Sequence, residues 1–235
     1  MNIDCKRRYV YFYLLFLYTV ELSGQNAPFA AWASVLVNSR FNSHWSNTFD
    51  LGYRTLGSDF IPYQNYFRTG FRYHFDPQVT ALCGLSYFNT KTSFLPENHE
   101  YGHEFRIYQE IQRQSSRNKK FLLDLRLRNE QRFFSGTSKR DPYHSFRLAG
   151  RMLAGYQFNN QFTWQIGSEY FESLTFNKLI MDQVRFINQI IVRMNKGFSL
   201  NLMYMYTIRK AYEQSVFNFV IVKNFNFDGL TTPAR

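Results

Sequence analysis

LDLRLRNEQRF, the run from Leu123 to Phe133, decides the fold class. Read in steps of two, it separates cleanly. Asp124, Arg126, Arg128, Glu130 and Arg132 fall on one face; Leu123, Leu125, Leu127 and Phe133 fall on the other. The 100° step of a helix would scatter those five charges around the cylinder. A strand gathers them on one side and leaves an apolar side opposite.

The same period recurs outward from this run in both directions. In Tyr101 to Gln112, Glu104, Arg106, Tyr108 and Glu110 alternate with Phe105, Ile107 and Ile111. In Tyr63 to Phe75, Gln64, Arg68, Arg72 and His74 alternate with Phe67, Phe71 and Tyr73. His144 to Phe158 sets Arg147 and Arg151 against Phe146, Leu148 and Met152, and Gln183 to Met194 sets Arg185 and Gln189 against Phe186 and Ile190. Phe198 to Arg209 follows the same rule. Further candidate strands are Ala30 to Val37, Trp45 to Thr55, Thr80 to Lys91, Phe162 to Phe171 and Ser215 to Phe225. Many reach about ten residues, the length of a tilted membrane strand rather than of a soluble sheet.

Between them stand short polar turns at 76–78, 116–119, 159–161 and 195–197, and longer connections at 92–100, 135–143 and 173–180. Such alternation of short turns and long loops is expected of an outer-membrane barrel. The candidate segments make an odd total. Because a closed, fully antiparallel barrel needs an even one, the expectation is about twelve strands, with ten as the alternative.

The bulk composition agrees. The chain holds 26 Phe and 17 Tyr in 235 residues, yet its mean hydropathy is −0.40. Alternating apolar and polar faces on every strand give that average. The net charge is +11, but the arginines are spread over alternate positions of most strands, a poor match to a phosphate-binding stripe. Nucleic acid is not an expected partner. At the amino terminus, Lys6, Arg7 and Arg8 precede an apolar run from Tyr9 to Val20 and a small polar stretch ending at Gly24. That is the layout of a secretory signal peptide, and the apolar run is short of the roughly 20 residues of a spanning helix. The expected division is a signal peptide at 1–24 and an outer-membrane barrel at 25–235. Cys5 then leaves with the signal, and Cys83 has no partner for a disulfide or a zinc site.

The run Leu125 to Phe134 resembles the bacterial family known as domain of unknown function 2490, in its Arg-x-Arg-x-Glu-x-Arg-Phe pattern at Arg126, Arg128, Glu130, Arg132 and Phe133. Trp32 and Trp45, Glu104-Phe105-Arg106 with Gln109, Arg147, Glu169-Tyr170-Phe171 and Gln183 with Arg185 follow in the order expected. The resemblance implies an outer-membrane barrel of Bacteroidetes and related Gram-negative bacteria, and implies no activity.

The candidate site is the charged face. Glu104, Arg106, Glu110, Asp124, Arg126, Arg128, Glu130, Arg132, Arg147, Arg151, Glu169 and Arg185 are expected to meet inside the barrel as an ion-pair ladder. The favoured reading is a structural, scaffolding or narrow-pore barrel whose lumen these residues fill; an anion-selective or substrate-binding wall is the sharper form. An outer-membrane lipid-modifying enzyme is an alternative, with His74 the one histidine expected to face inward, but no Gly-x-Ser-x-Gly elbow occurs. A soluble lipocalin-type barrel is the other, and predicts an apolar interior. Outer-membrane lipids are the expected partners, and no metal or cofactor is expected. Tyr73, Phe75, Phe133, Phe134, Tyr156 and Phe158 are expected in interfacial aromatic girdles.

Overall fold

The computed structural model describes residues 29–57, 59–92, 100–117, 120–138, 140–175 and 178–227. The expected signal peptide lies outside them. All eleven candidate segments are strands: β1 (Phe29–Arg40), β2 (Trp45–Leu56), β3 (Ile61–His74), β4 (Val79–Lys91), β5 (Tyr101–Arg117), β6 (Phe121–Phe134), β7 (Tyr143–Gln157), β8 (Phe162–Thr175), β9 (Lys178–Arg193), β10 (Phe198–Arg209) and β11 (Glu213–Asn226). Each pairs antiparallel with the next, and the sheet closes into a barrel.

The expected twelve strands are therefore corrected to eleven among the described residues. The barrel closes by pairing β1 with β11 in parallel, from Phe29 against Ser215 to Arg40 against Asn226. Closure requires every strand edge to find a partner, and a parallel ladder satisfies an edge as an antiparallel one does. An odd number is then allowed, at the cost of one seam unlike the rest.

At one rim the connections 41–44, 75–78, 118–120, 158–161 and 194–197 are uniformly short. Three of them repeat one device, an Asx side chain in second place accepting from two later amides. Asn42 Oδ1 accepts from His44 and Trp45 (2.9 and 2.8 Å), Asp76 Oδ1 from Gln78 and Val79 (2.6 and 2.7 Å), and Asn159 Oδ1 from Gln161 and Phe162 (both 2.8 Å). In the turn after β9, Lys196 and Gly197 instead take positive φ, 58° and 75°. The opposite rim carries the longer connections 92–100 and 135–142 beside short ones at 57–60, 176–177 and 210–212. The long loop expected at 173–180 is a correction: β8 and β9 extend through it, and Thr175 pairs with Lys178.

Side chains alternate between lumen and exterior along the wall. Outward stand Leu123, Leu125, Leu127, Phe105, Ile111, Leu148 and Met152, with Leu127 65% exposed. Inward on the same strands stand Glu104, Glu110, Asp124, Glu130 and Arg147, all buried. This polarity is the reverse of a lipocalin-type barrel. Near the short-turn rim, aromatic rings cluster on the wall, Trp45–Tyr73–Phe75 and Phe121–Tyr156–Phe158, with neighbouring centroids 5.0–5.1 Å apart. Phe134 departs from the expected girdle. It faces the lumen mouth, stacked on Tyr143 at 4.3 Å with the Arg132 guanidinium 4.7 Å from its ring.

Candidate functional site: the lumen

Register decides which charges meet. On β5 and β6, Glu110 lies opposite Arg128, but Arg106 lies opposite Arg132, and on β6 and β7 Arg126 lies opposite Arg151. Like charges directly across a ladder repel. The arginines therefore reach diagonally to carboxylates one step away. Arg132 Nε donates to Glu104, and Arg126 bonds Glu169 two strands on.

Each carboxylate is a hub. Glu130 accepts from Arg147 (Nε, 3.0 Å) and Arg106 (Nη1, 3.2 Å), and Arg128 lies 3.7 Å away. Glu110 holds Arg128 at 2.6 Å, with Arg72 at 3.5 Å and Arg126 at 3.6 Å. Glu104 holds Arg106 at 2.7 Å as well as Arg132, and Glu169 holds Arg185 at 3.5 Å as well as Arg126. Glu104, Arg106, Glu110, Arg126, Arg128, Glu130, Arg132, Arg147, Glu169 and Arg185 thus form one connected network. Asp124 and Arg151 stand beside it as a pair at 3.0 Å, with Gln112 and Gln114 each donating to Asp124 at 2.7 Å. Aromatic faces support the cations: Arg106 lies 3.7 Å from the Phe88 ring centroid and Arg128 5.2 Å from that of Tyr108.

Sequence periodicity missed several members. Asp182 accepts from Arg147 (3.2 Å) and lies 3.9 Å from Arg132. It is the extra residue of a β-bulge, since Phe171 pairs with Gln183 and Glu172 with Met181. A bulge re-aims a side chain, so Asp182 faces inward from a position that strict alternation assigns to the exterior. Asp50 with Arg68 forms a further inward ion pair on β2 and β3.

The lumen is also not polar throughout. Leu153, Gly167, Ile187, Met205, Val216 and Ala30 follow one another in register from β7 through β11 to β1. All but Gly167 belong to one buried apolar cluster that includes Trp32. Gly167 is required there, because a Cβ would stand 2.0 Å from the Met152 carbonyl oxygen.

Two separate cavities occupy the two ends. One, of about 770 Å³, lies at the short-turn rim and is lined by Arg40, His44, Arg72, His74 and Gln112 among others. The other, of about 590 Å³, reaches toward the long-loop rim and shares no lining residue with the first. Arg72, Glu110 and Arg128 of the network link the two levels.

At the short-turn rim, Ser46 Oγ lies 2.8 Å from His74 Nε2. A nucleophile and a base are in reach, but among the described residues no carboxylate orients the ring through Nδ1, so no triad forms. The string His99-Glu100-Tyr101-Gly102-His103 spells the H-E-x-x-H pattern, which binds zinc when a helix sets both histidines on one face. Here Tyr101 opens strand β5, His103 bonds the Tyr87 hydroxyl at 2.6 Å, and Glu100 accepts from the Ser138 hydroxyl at 2.7 Å. No metal-binding group of three ligands forms among the described residues.

Comparison with curated proteins and with solved structures returns no match. The family model described as protein of unknown function (DUF2490) matches residues 29–217, the wall from β1 into β11, and the chain belongs to that family.

Proposed function

We propose that the chain is an outer-membrane β-barrel, secreted through a cleaved signal peptide, whose lumen is braced and narrowed at mid-height by its own ion pairs. Its role is that of a membrane scaffold or a very narrow pore rather than a general diffusion channel. The observation that supports this is the inverted polarity of the wall. A belt of Leu, Ile and Phe faces out while buried carboxylates and guanidinium groups face in. Exposing that belt to water would be costly, and lipid is the solvent that suits it. The uniform short turns fit the periplasmic rim and the longer loops the outer one. The two cavities share no lining residue, and the ion pairs of Glu110 with Arg72 and Arg128 stand between them, which supports a closed middle.

Cell fractionation with gel electrophoresis tests the membrane reading. The expected result is recovery with outer membrane, a mature chain starting at Gln25 by mass, and a band that migrates faster unboiled than boiled. Recovery as a soluble monomer without detergent would overturn it. Planar-bilayer recording tests the closed middle: steady conductance on the scale of an open porin would rule the brace out.

A further inference from the structure

The cavity toward the long-loop rim combines two features that the ion-pair network does not use. Its floor is apolar: Ile187, Met203 and Met205 line it beside Trp32. Its cations outnumber its carboxylates by more than two to one; carboxylates outside its lining meet Arg68, Arg128 and Arg151, but the arginines next to the floor are less well balanced. Among the described residues, neither Arg54 nor Arg209 has a carboxylate within ion-pair distance. Arg54 donates to the Gln64 amide oxygen at 2.7 Å and lies 4.0 Å from the Trp32 ring centroid. Arg209 lies 5.2 Å from the Tyr212 ring centroid. Arg185 has Glu169 at 3.5 Å, and that carboxylate is already taken by Arg126.

Donors are left over as well. Among the described residues, the Nε atoms of Arg54, Arg185 and Arg209 are buried without a hydrogen-bond partner, and so is the indole Nε1 of Trp32, a residue only 8% exposed. Buried donors without acceptors, beside guanidinium groups that are unbalanced (Arg54, Arg209) or share a carboxylate (Arg185), are costly unless something supplies both an acceptor and a counter-charge. An anion supplies both. The neighbouring apolar floor adds that its carrier should bring an apolar or aromatic body, and about 590 Å³ suits a small organic molecule.

We propose that this cavity binds a small amphipathic anion, a carboxylate or phosphate on an apolar or aromatic body. Arg54 and Arg185 hold the charge, the Trp32 N–H donates to it, and Ile187, Met203 and Met205 pack the body. The inference concerns the lumen and does not depend on where the barrel resides.

Isothermal titration calorimetry on the detergent-purified, heat-modifiable barrel tests it with phenylphosphate, inorganic phosphate and phenol. Phenylphosphate should bind saturably at one site, at least tenfold more tightly than either of the other two. Arg54→Gln and Arg185→Gln should each weaken it tenfold or more. Trp32→Phe, which keeps the ring and removes the donor, should weaken it severalfold. Arg193→Gln, at the opposite rim, should leave it within twofold. Heat-modifiability of each variant is checked first, and Trp32→Phe carries the test if an arginine variant fails to fold. Absence of saturable binding, equal affinity for inorganic phosphate, or affinity unmoved by the cavity variants would overturn the proposal. None of those outcomes touches fractionation or gel behaviour, so the membrane reading stands or falls separately.

Discussion

Glu130, like Glu110, gathers three guanidinium groups in the lumen. It is 3% exposed, and the guanidinium groups of Arg106 and Arg147 both donate to it. Removing one partner of a buried charge set costs about 3–5 kcal/mol, because the remaining charges stay desolvated. Glu130→Gln should therefore lower the urea midpoint of the detergent-folded barrel by that equivalent. Asp182→Asn should cost much less, since its side chain is 29% exposed and its bond to Arg147 is one of several that Arg147 makes. Equal losses for the two would show that the network does not concentrate at Glu130. A second residue reports on the outside of the wall. Cys83 is a free, exposed thiol on the outward face of β4. In the membrane setting proposed above it should resist a charged maleimide that labels it once the barrel is unfolded. Rapid labelling by the charged reagent would place that face in water.

At the scale of the strand, β8 shows why spacing matters as much as polarity. Gly167 sits where any side chain would press on the backbone of β7, with Met152 O at 2.0 Å from the added Cβ. Gly167→Ala should cost on the order of 1–3 kcal/mol as an overpacking strain, read as a lower unfolding midpoint, while Gly150→Ala, whose Cβ would meet nothing nearer than 3.7 Å, should be close to neutral. Strands were the legible part of this sequence. Where one face is charged and the other apolar, as in Leu123 to Phe133, period two leaves no choice of face, and all twelve charged candidates lie on the lumenal side of the wall. The apolar part of the lumen was less legible. Alternation puts Ile187 on the inward face with Arg185 and Gln189, and Met203 and Met205 there with Asn201 and Thr207, but nothing in the spacing says that these apolar side chains meet Val216, Ala30 and Leu153 across the barrel. Asp182 escaped because a bulge resets the count, and Arg54 because β2 carries only one other charge, Asp50, too few to mark the strand as part of a charged cluster.

For the whole molecule, the odd strand number is the finding that counting segments alone could not resolve. The candidate segments were all present in the sequence, but the rule that pairs even numbers with closure hid the answer. Only the register of β1 against β11 shows how the wall joins. Cysteines placed at Ala33 and Phe219, which are paired across that seam, should be joined by a short bifunctional thiol reagent in a Cys83→Ala background. Failure to cross-link in a folded, heat-modifiable barrel would refute the parallel closure. Ala33 paired instead with a cysteine at Val222, three positions farther along β11, serves as the register control and should cross-link poorly.

That seam also determines sidedness. In a barrel with an even number of strands the first strand starts and the last one stops at the same rim. Here β1 begins at Phe29, level with Ser215 beside the 210–212 connection, and β11 stops at Asn226, level with Arg40 beside the 41–44 turn. The polypeptide enters the wall on one side and leaves it on the other. A peptide tag fused just ahead of β1 and one fused just behind β11 would stand at opposite rims, so in the membrane setting proposed above the fold would pass through its boundary like a bolt, where its even-stranded counterparts are fastened from one side like a staple.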